Sequence, residues 1–152
     1  MKIRIETDES ITENEVIIRC HTVDQEVRRM EKALIDAVQK ACIPFFKDGA
    51  EYFIPLDDVL FFESDDGYVF AHTVNDMYKV KSSLAGLTDM LPAYFVRASK
   101  SSIVNVERIC SVEKSLTSFS TIGFFGTHKR MFASRSHIKS VMQAISERRN
   151  IL

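Results

Sequence analysis

A chain of 152 residues with 45 % hydrophobic and 27 % charged residues has the make-up of a globular protein holding one compact domain, or a small domain with an extension. No apolar run approaches the roughly 20 residues that span a bilayer, and the charged stretch Met1 to Glu9 lacks a signal-peptide core, which predicts a cytoplasmic protein. The net charge of −1 hides a polarised molecule: residues 94–152 carry ten Lys/Arg against three Glu, and residues 1–93 carry ten Lys/Arg against eighteen Asp/Glu. Such a split suggests a surface for a polyanion, nucleic acid first; a solvated basic face without a partner is the plain alternative.

In chain order, Lys2–Thr7 alternates polar and apolar residues as a half-buried strand does, and Val16–Cys20 reads as a second short strand. A helix follows, capped by Thr22 or Asp24, with Val23, Val27, Met30, Leu34, Val38 and Ala41 along one stripe. That stripe predicts a docked surface helix, with a dimerisation helix as the functional alternative. Pro44 closes this segment, and many short strands begin. Phe45–Lys47 and Glu51–Ile54 flank the turn signal Asp48-Gly49, and Val59–Ser64 and Tyr68–Thr73 flank Asp65-Asp66-Gly67. Asn75-Asp76 turns the chain into Met77–Lys81.

Leu84, Leu87 and Leu91 behind Ser82 or Ser83 predict a short capped helix that stops at Pro92. Strands are expected at Phe95–Ala98, Ser102–Val106, Ile109–Val112, Phe119–Phe124 and Lys129–Ala133. The chain closes with a helix that sets Ile138, Val141, Met142 and Ile145 on one face and is capped at Ser134 or Ser136. The expected class is mainly β, α+β overall. It comprises a strand–helix extension over residues 1–44 and a β domain with small helices over residues 45–152.

Several chemistries have no residues to support them. The histidines His21, His72, His128 and His137 show no metal-ligand spacing. The five glycines form no phosphate-binding array. Asp57-Asp58 and Asp65-Asp66 fall in predicted turns, where Asp is common for backbone reasons, and no serine sits in a nucleophile elbow. Cys20, Cys42 and Cys110, widely spaced and odd in number, suit buried thiols in a reducing compartment. The sequence therefore predicts no enzyme, no metal and no cofactor.

The densest functional signal is Arg97-Ala-Ser-Lys-Ser-Ser-Ile-Val-Asn105, which sets two cations and a run of hydroxyls before an apolar strand. It is one of five segments in order: Phe53–Glu63, Tyr68–His72, Lys79–Leu87, Tyr94–Asn105 with Arg108-Ile109, and Ala133–Ser136. Together, over roughly residues 45–146, these segments resemble the LytTR family of bacterial DNA-binding domains. The resemblance implies an elongated β-β-β fold whose loops, instead of a recognition helix, enter the major groove, with members commonly binding paired repeats as dimers.

Carried over by position, the implied DNA contacts are the loop Ser64 to Tyr68, with Gly67 and Tyr68; Arg97 with Ser99, Lys100 and Ser101; and Arg135 with Ser136. Lys and Arg can bond guanine, while hydroxyls hold phosphates. Lys100 stands where many relatives place His or Asn, and Ser136 where a second Arg is frequent. Residue-level alternatives are an Arg97 salt bridge to Glu107 or Glu63, an Asn105 that fixes a turn, and a solvated tail at Arg148 and Arg149. Residues 1–44 are too few for a receiver domain, so the likeness is to short stand-alone regulators, often found beside a small membrane protein that restrains them. The expectation is a sequence-specific, homodimeric transcription regulator; the alternative is a protein-interaction adaptor with a basic docking face.

Overall fold

The computed structural model describes residues 4–7, 10, 15–38, 43–116 and 118–149. They fall into two compact units, Met1–Val38 and Gln39–Leu152. The first contains helix α1 (Gln25–Val38). Asp24 caps it, its Oδ1 accepting from the Val27 amide at 3.0 Å, and Val27, Met30 and Leu34 form its half-buried stripe. The strands expected at Lys2–Thr7 and Val16–Cys20 are not formed in the described residues 4–7 and 15–20. Alternation alone does not make a strand, which needs a hydrogen-bonded neighbour; Ile5, Val16 and Ile17 are exposed.

Among the described residues the second unit holds ten strands: β1 (Phe45–Lys47), β2 (Ala50–Tyr52), β3 (Phe61–Asp65), β4 (Tyr68–His72), β5 (Met77–Val80), β6 (Phe95–Ser99), β7 (Ser102–Asn105), β8 (Ile109–Glu113), β9 (Phe119–Phe124) and β10 (Arg130–Ser134). Helix α2 (Leu84–Met90) lies between β5 and β6, and α3 (Ile138–Arg149) follows β10. The pairing is antiparallel in a seven-stranded sheet of order β2-β1-β5-β4-β3-β7-β6 and a three-stranded sheet of order β10-β9-β8. The mainly β class holds.

The start of β3 and the whole of β7 are buried on both faces, which suits the apolar runs Val59-Leu-Phe-Phe62 and Ile103-Val104. Phe62 and Ile103 enter one core with Phe45, Val69, Val80 and Leu87 of α2. Their neighbours Phe61 and Val104 enter a second core with Ile122, Phe124, Met131, Ala133 and Val141 of α3. Asn105 sits at the end of β7 with no solvent exposure. Its Nδ2 donates to the Val59 carbonyl at 2.9 Å and its Oδ1 accepts from the Glu107 amide at 3.1 Å, the turn-fixing role expected of it.

Three further expectations change. Cys20 and Cys110 are exposed thiols, and Cys42 lies outside the described residues. Arg148 is no solvated tail: it pairs with Glu107 and stacks its guanidinium 5.1 Å from the centre of the Tyr94 ring. The serines before α3 do not cap it. His137 occupies the position before Ile138, and the Ser134 and Ser136 hydroxyls lie 2.7 and 3.0 Å from its Nδ1.

Candidate nucleic-acid interface

The β3–β4 connection is a two-residue hairpin turn closed by the Asp65–Tyr68 pair. Its central residues have positive φ, 47° at Asp66 and 79° at Gly67, the requirement of a type I′ turn. A Cβ on Gly67 would meet nothing within 4 Å, so glycine serves the backbone conformation and not close packing. Asp65, Asp66 and Tyr68 are all exposed. The Tyr68 ring carries the Lys79 ammonium 3.3 Å from its centroid.

The β6–β7 turn is held by side chains instead. Arg97 Nη1 donates to the Lys100 carbonyl at 2.8 Å and lies 3.5 Å from the Ser99 carbonyl. The Ser99 hydroxyl accepts from the Ser101 amide at 3.1 Å and lies 2.7 Å from the Ser102 hydroxyl. The pairing shifts between Arg97 and Ser99, a bulge that bends the strand end. One guanidinium nitrogen of Arg97 thus holds its own turn, and the carboxylates offered to Arg97 as salt-bridge partners are engaged elsewhere. Glu107 pairs with Arg148, and Glu63 stands 2.8 Å from His72 Nε2. Lys100, at the tip, is exposed.

One backbone bond brings the two turns together: the Ser64 amide donates to the Ser101 carbonyl at 2.8 Å. It extends the β3–β7 ladder past Glu63–Ser102 and sets Gly67, Tyr68, Ser99, Lys100 and Ser101 at one end of the large sheet. Arg135 and Ser136 follow β10 of the small sheet and are exposed. They are tied to the same region less directly, through the packing of β10 and α3 on β6.

Away from the turns, His72 stacks on Phe61 with ring centroids 4.2 Å apart. Its Nε2 is at ion-pair distance from Glu63 but makes no hydrogen bond of good geometry. Burial holds its pKa below the ordinary value, opposed by the Glu63 carboxylate and assisted by the Lys129 ammonium. Sequence reasoning missed two participants. His137 gathers the serines beside Arg135, and Lys79 rests on Tyr68; the Tyr68–Lys79 approach follows only once β4 and β5 pair.

An antiparallel β domain that gathers cations and hydroxyls at its strand turns has the form of a binding module for polyanions, and no cluster that could hold a metal ion stands among the described residues. The family model described as the LytTr DNA-binding domain matches residues 50–146, and the chain belongs to this LytTR family. It is 26 % identical over 149 residues to a Staphylococcus aureus (strain NCTC 8325) protein described as an uncharacterized HTH-type transcriptional regulator, covering 96 % of this chain and 99 % of that one. A counterpart with the same description in the bovine RF122 strain is 27 % identical, with the same coverage. A solved LytTr DNA-binding domain of a Bacillus cereus methyl-accepting/DNA response regulator superposes with a TM-score of 0.64 at 20 % identity, covering 70 % of this chain and 98 % of that chain. This protein is accordingly a DNA-binding regulator of LytTR type. Among the described residues it has no helix-turn-helix, since five strands separate α1 from α2 and five more separate α2 from α3. No described helix is long and apolar enough to cross a membrane.

Proposed function

We propose that the turn end of the seven-stranded sheet enters the major groove of duplex DNA and reads it with loops. The observation that carries this is the Ser64–Ser101 bond, which sets the two exposed turns side by side. Their centres stand two strand spacings apart, about 10 Å, which fits a major groove about 12 Å wide. Lys100 supplies the base or phosphate contact at the tip, with Ser99, Ser101, Gly67 and Tyr68 around it. Arg97 contributes by holding the Lys100 backbone. Arg135 and Ser136 make a second contact from the start of α3.

A single turn end reads few base pairs, and each good base contact is worth only about 1–3 kcal/mol. A homodimer on repeated half-sites supplies the affinity and specificity one copy lacks. Residues 45–152 hold the DNA, and residues 1–44 mediate association or receive a signal from a protein partner, such as a small membrane protein. The protein works in the cytoplasm and catalyses no reaction.

The test is selection from a randomised duplex pool at about 0.15 M salt, where purely electrostatic binding is weakened. Enrichment of two repeats about one helical turn apart, or a multiple of that spacing, is expected. Retention without enrichment would overturn the reading and favour an adaptor that docks an acidic protein.

A further inference from the structure

We infer that Lys79 and Lys81, positioned by Tyr68 and Phe46, form a phosphate clamp that grips the backbone of the same duplex beside the turn end. The inference rests on the reading of that end as the DNA-facing surface.

Register places these residues together. Val69 pairs with Val80, Phe70 with Lys79, and Phe46 with Lys79 across the neighbouring strand. Val69 and Val80 point into the first core, so Tyr68, Phe70, Phe46, Lys79 and Lys81 share the opposite face by alternation. Lys81 follows the last residue of β5, beside Tyr68 and at the same end of the sheet as the Asp66-Gly67 turn.

Among the described residues Lys47 pairs with Asp76, whereas Lys79 and Lys81 enter no ion pair. Their ammoniums rest on aromatic rings, Lys79 at 3.3 Å from the Tyr68 centroid and Lys81 at 4.4 Å from that of Phe46. An exposed cation–π contact is worth only about 0.5–1 kcal/mol, so an arriving phosphate displaces it readily. The rings hold the ammoniums in place without neutralising their charge. An open cavity lined by Phe46, Lys47, Asp48, Phe70, Met77 and Lys79 lies on that face, and Asp48 makes no ion pair with Lys79 there.

Placement favours DNA phosphate over an acidic protein. β5 lies one strand spacing, about 5 Å, outside the β3–β4 turn, where a groove wall stands if that turn occupies the groove. The two lysines are about 7 Å apart along the strand, far enough to engage separate phosphates. They also offset Asp65 and Asp66, which otherwise oppose the approach of a polyanion.

The experiment titrates full-length protein with its selected duplex and with a scrambled duplex between about 50 and 200 mM salt. For Lys79→Ala/Lys81→Ala, the slope of log affinity against log salt should shrink by about 1.8, from about 0.9 per lost phosphate contact. Affinity should fall equally on both duplexes, with the preferred sequence unchanged and melting near that of wild type. Lys114→Ala, in the exposed connection after β8, should keep the wild-type slope. An unchanged slope in the clamp variant, or a loss of about 0.9 in Lys114→Ala, would overturn the clamp. A wild-type protein that binds no duplex would instead overturn the reading of the turn end itself.

Discussion

The β3–β4 and β6–β7 turns lie side by side on one sheet and are built in opposite ways. The β3–β4 turn takes its shape from the main chain, through positive φ at Asp66 and Gly67, and leaves two carboxylates at its tip. The β6–β7 turn takes its shape from side chains, with Arg97 bonding the Lys100 carbonyl and Ser99 bonding the Ser101 amide. A turn fixed by the main chain tolerates any charge at its tip, and a turn fixed by side chains commits those side chains to structure. So the acidic turn is free to vary as a surface, while the basic turn carries Lys100 exposed at its tip.

The largest expected effect lies at the other end of β7, where Asn105 is fully buried. Asn105→Ala strips partners from the buried Val59 carbonyl and the Glu107 amide. It should destabilise the domain by about 3 kcal/mol in chemical denaturation. Next, Lys100→Ala should weaken DNA binding by about 1–3 kcal/mol and relax preference at one base pair if it reads a base. Binding that falls alike on every sequence, with a shallower salt slope, would make Lys100 a phosphate contact. Gly67→Ala should cost about 1 kcal/mol of stability, because φ must stay positive although nothing crowds the new methyl. Asp66→Asn keeps a residue that accepts positive φ and removes one negative charge. It should tighten binding less than about fivefold at low salt and leave melting unchanged.

A smaller effect separates both turns from the buried centre of the sheet. Burial lowers the His72 pKa beneath its ordinary 6.5. Between the folded pKa and about 6.5 the unfolded chain therefore binds the extra proton. Stability present above pH 6.5 should decline as pH falls through that value and level off below the folded pKa. His72→Gln should flatten the decline in a series of thermal melts; an equal decline in the variant would place the proton elsewhere.

How far the sequence reveals the fold depends on where each signal resides. Asp48-Gly49 and Asp66-Gly67 are legible because positive φ is a demand of the local chain. The runs through Phe62 and Ile103 are legible because two-sided burial puts apolar residues at successive positions. The first expected strands fail because pairing is a property of two segments, and 4–7 and 15–20 find no described partner. The serines before α3 look like caps until His137 competes for their hydroxyls. At the candidate site, the sequence marks Lys100 and Arg97 but not their division of labour, since only the folded turn aims one inward. Lys79 and Lys81 give no sign at all until β4 and β5 align.

The central claim is that the neighbouring turns, with the start of α3, are the surface that meets DNA. Amide spectra of isotope-labelled protein, titrated with the duplex recovered by selection, test it most directly. The account predicts the largest shifts at residues 64–68, 98–102 and 134–138. Saturable binding that leaves those amides unmoved and shifts only another face would contradict it.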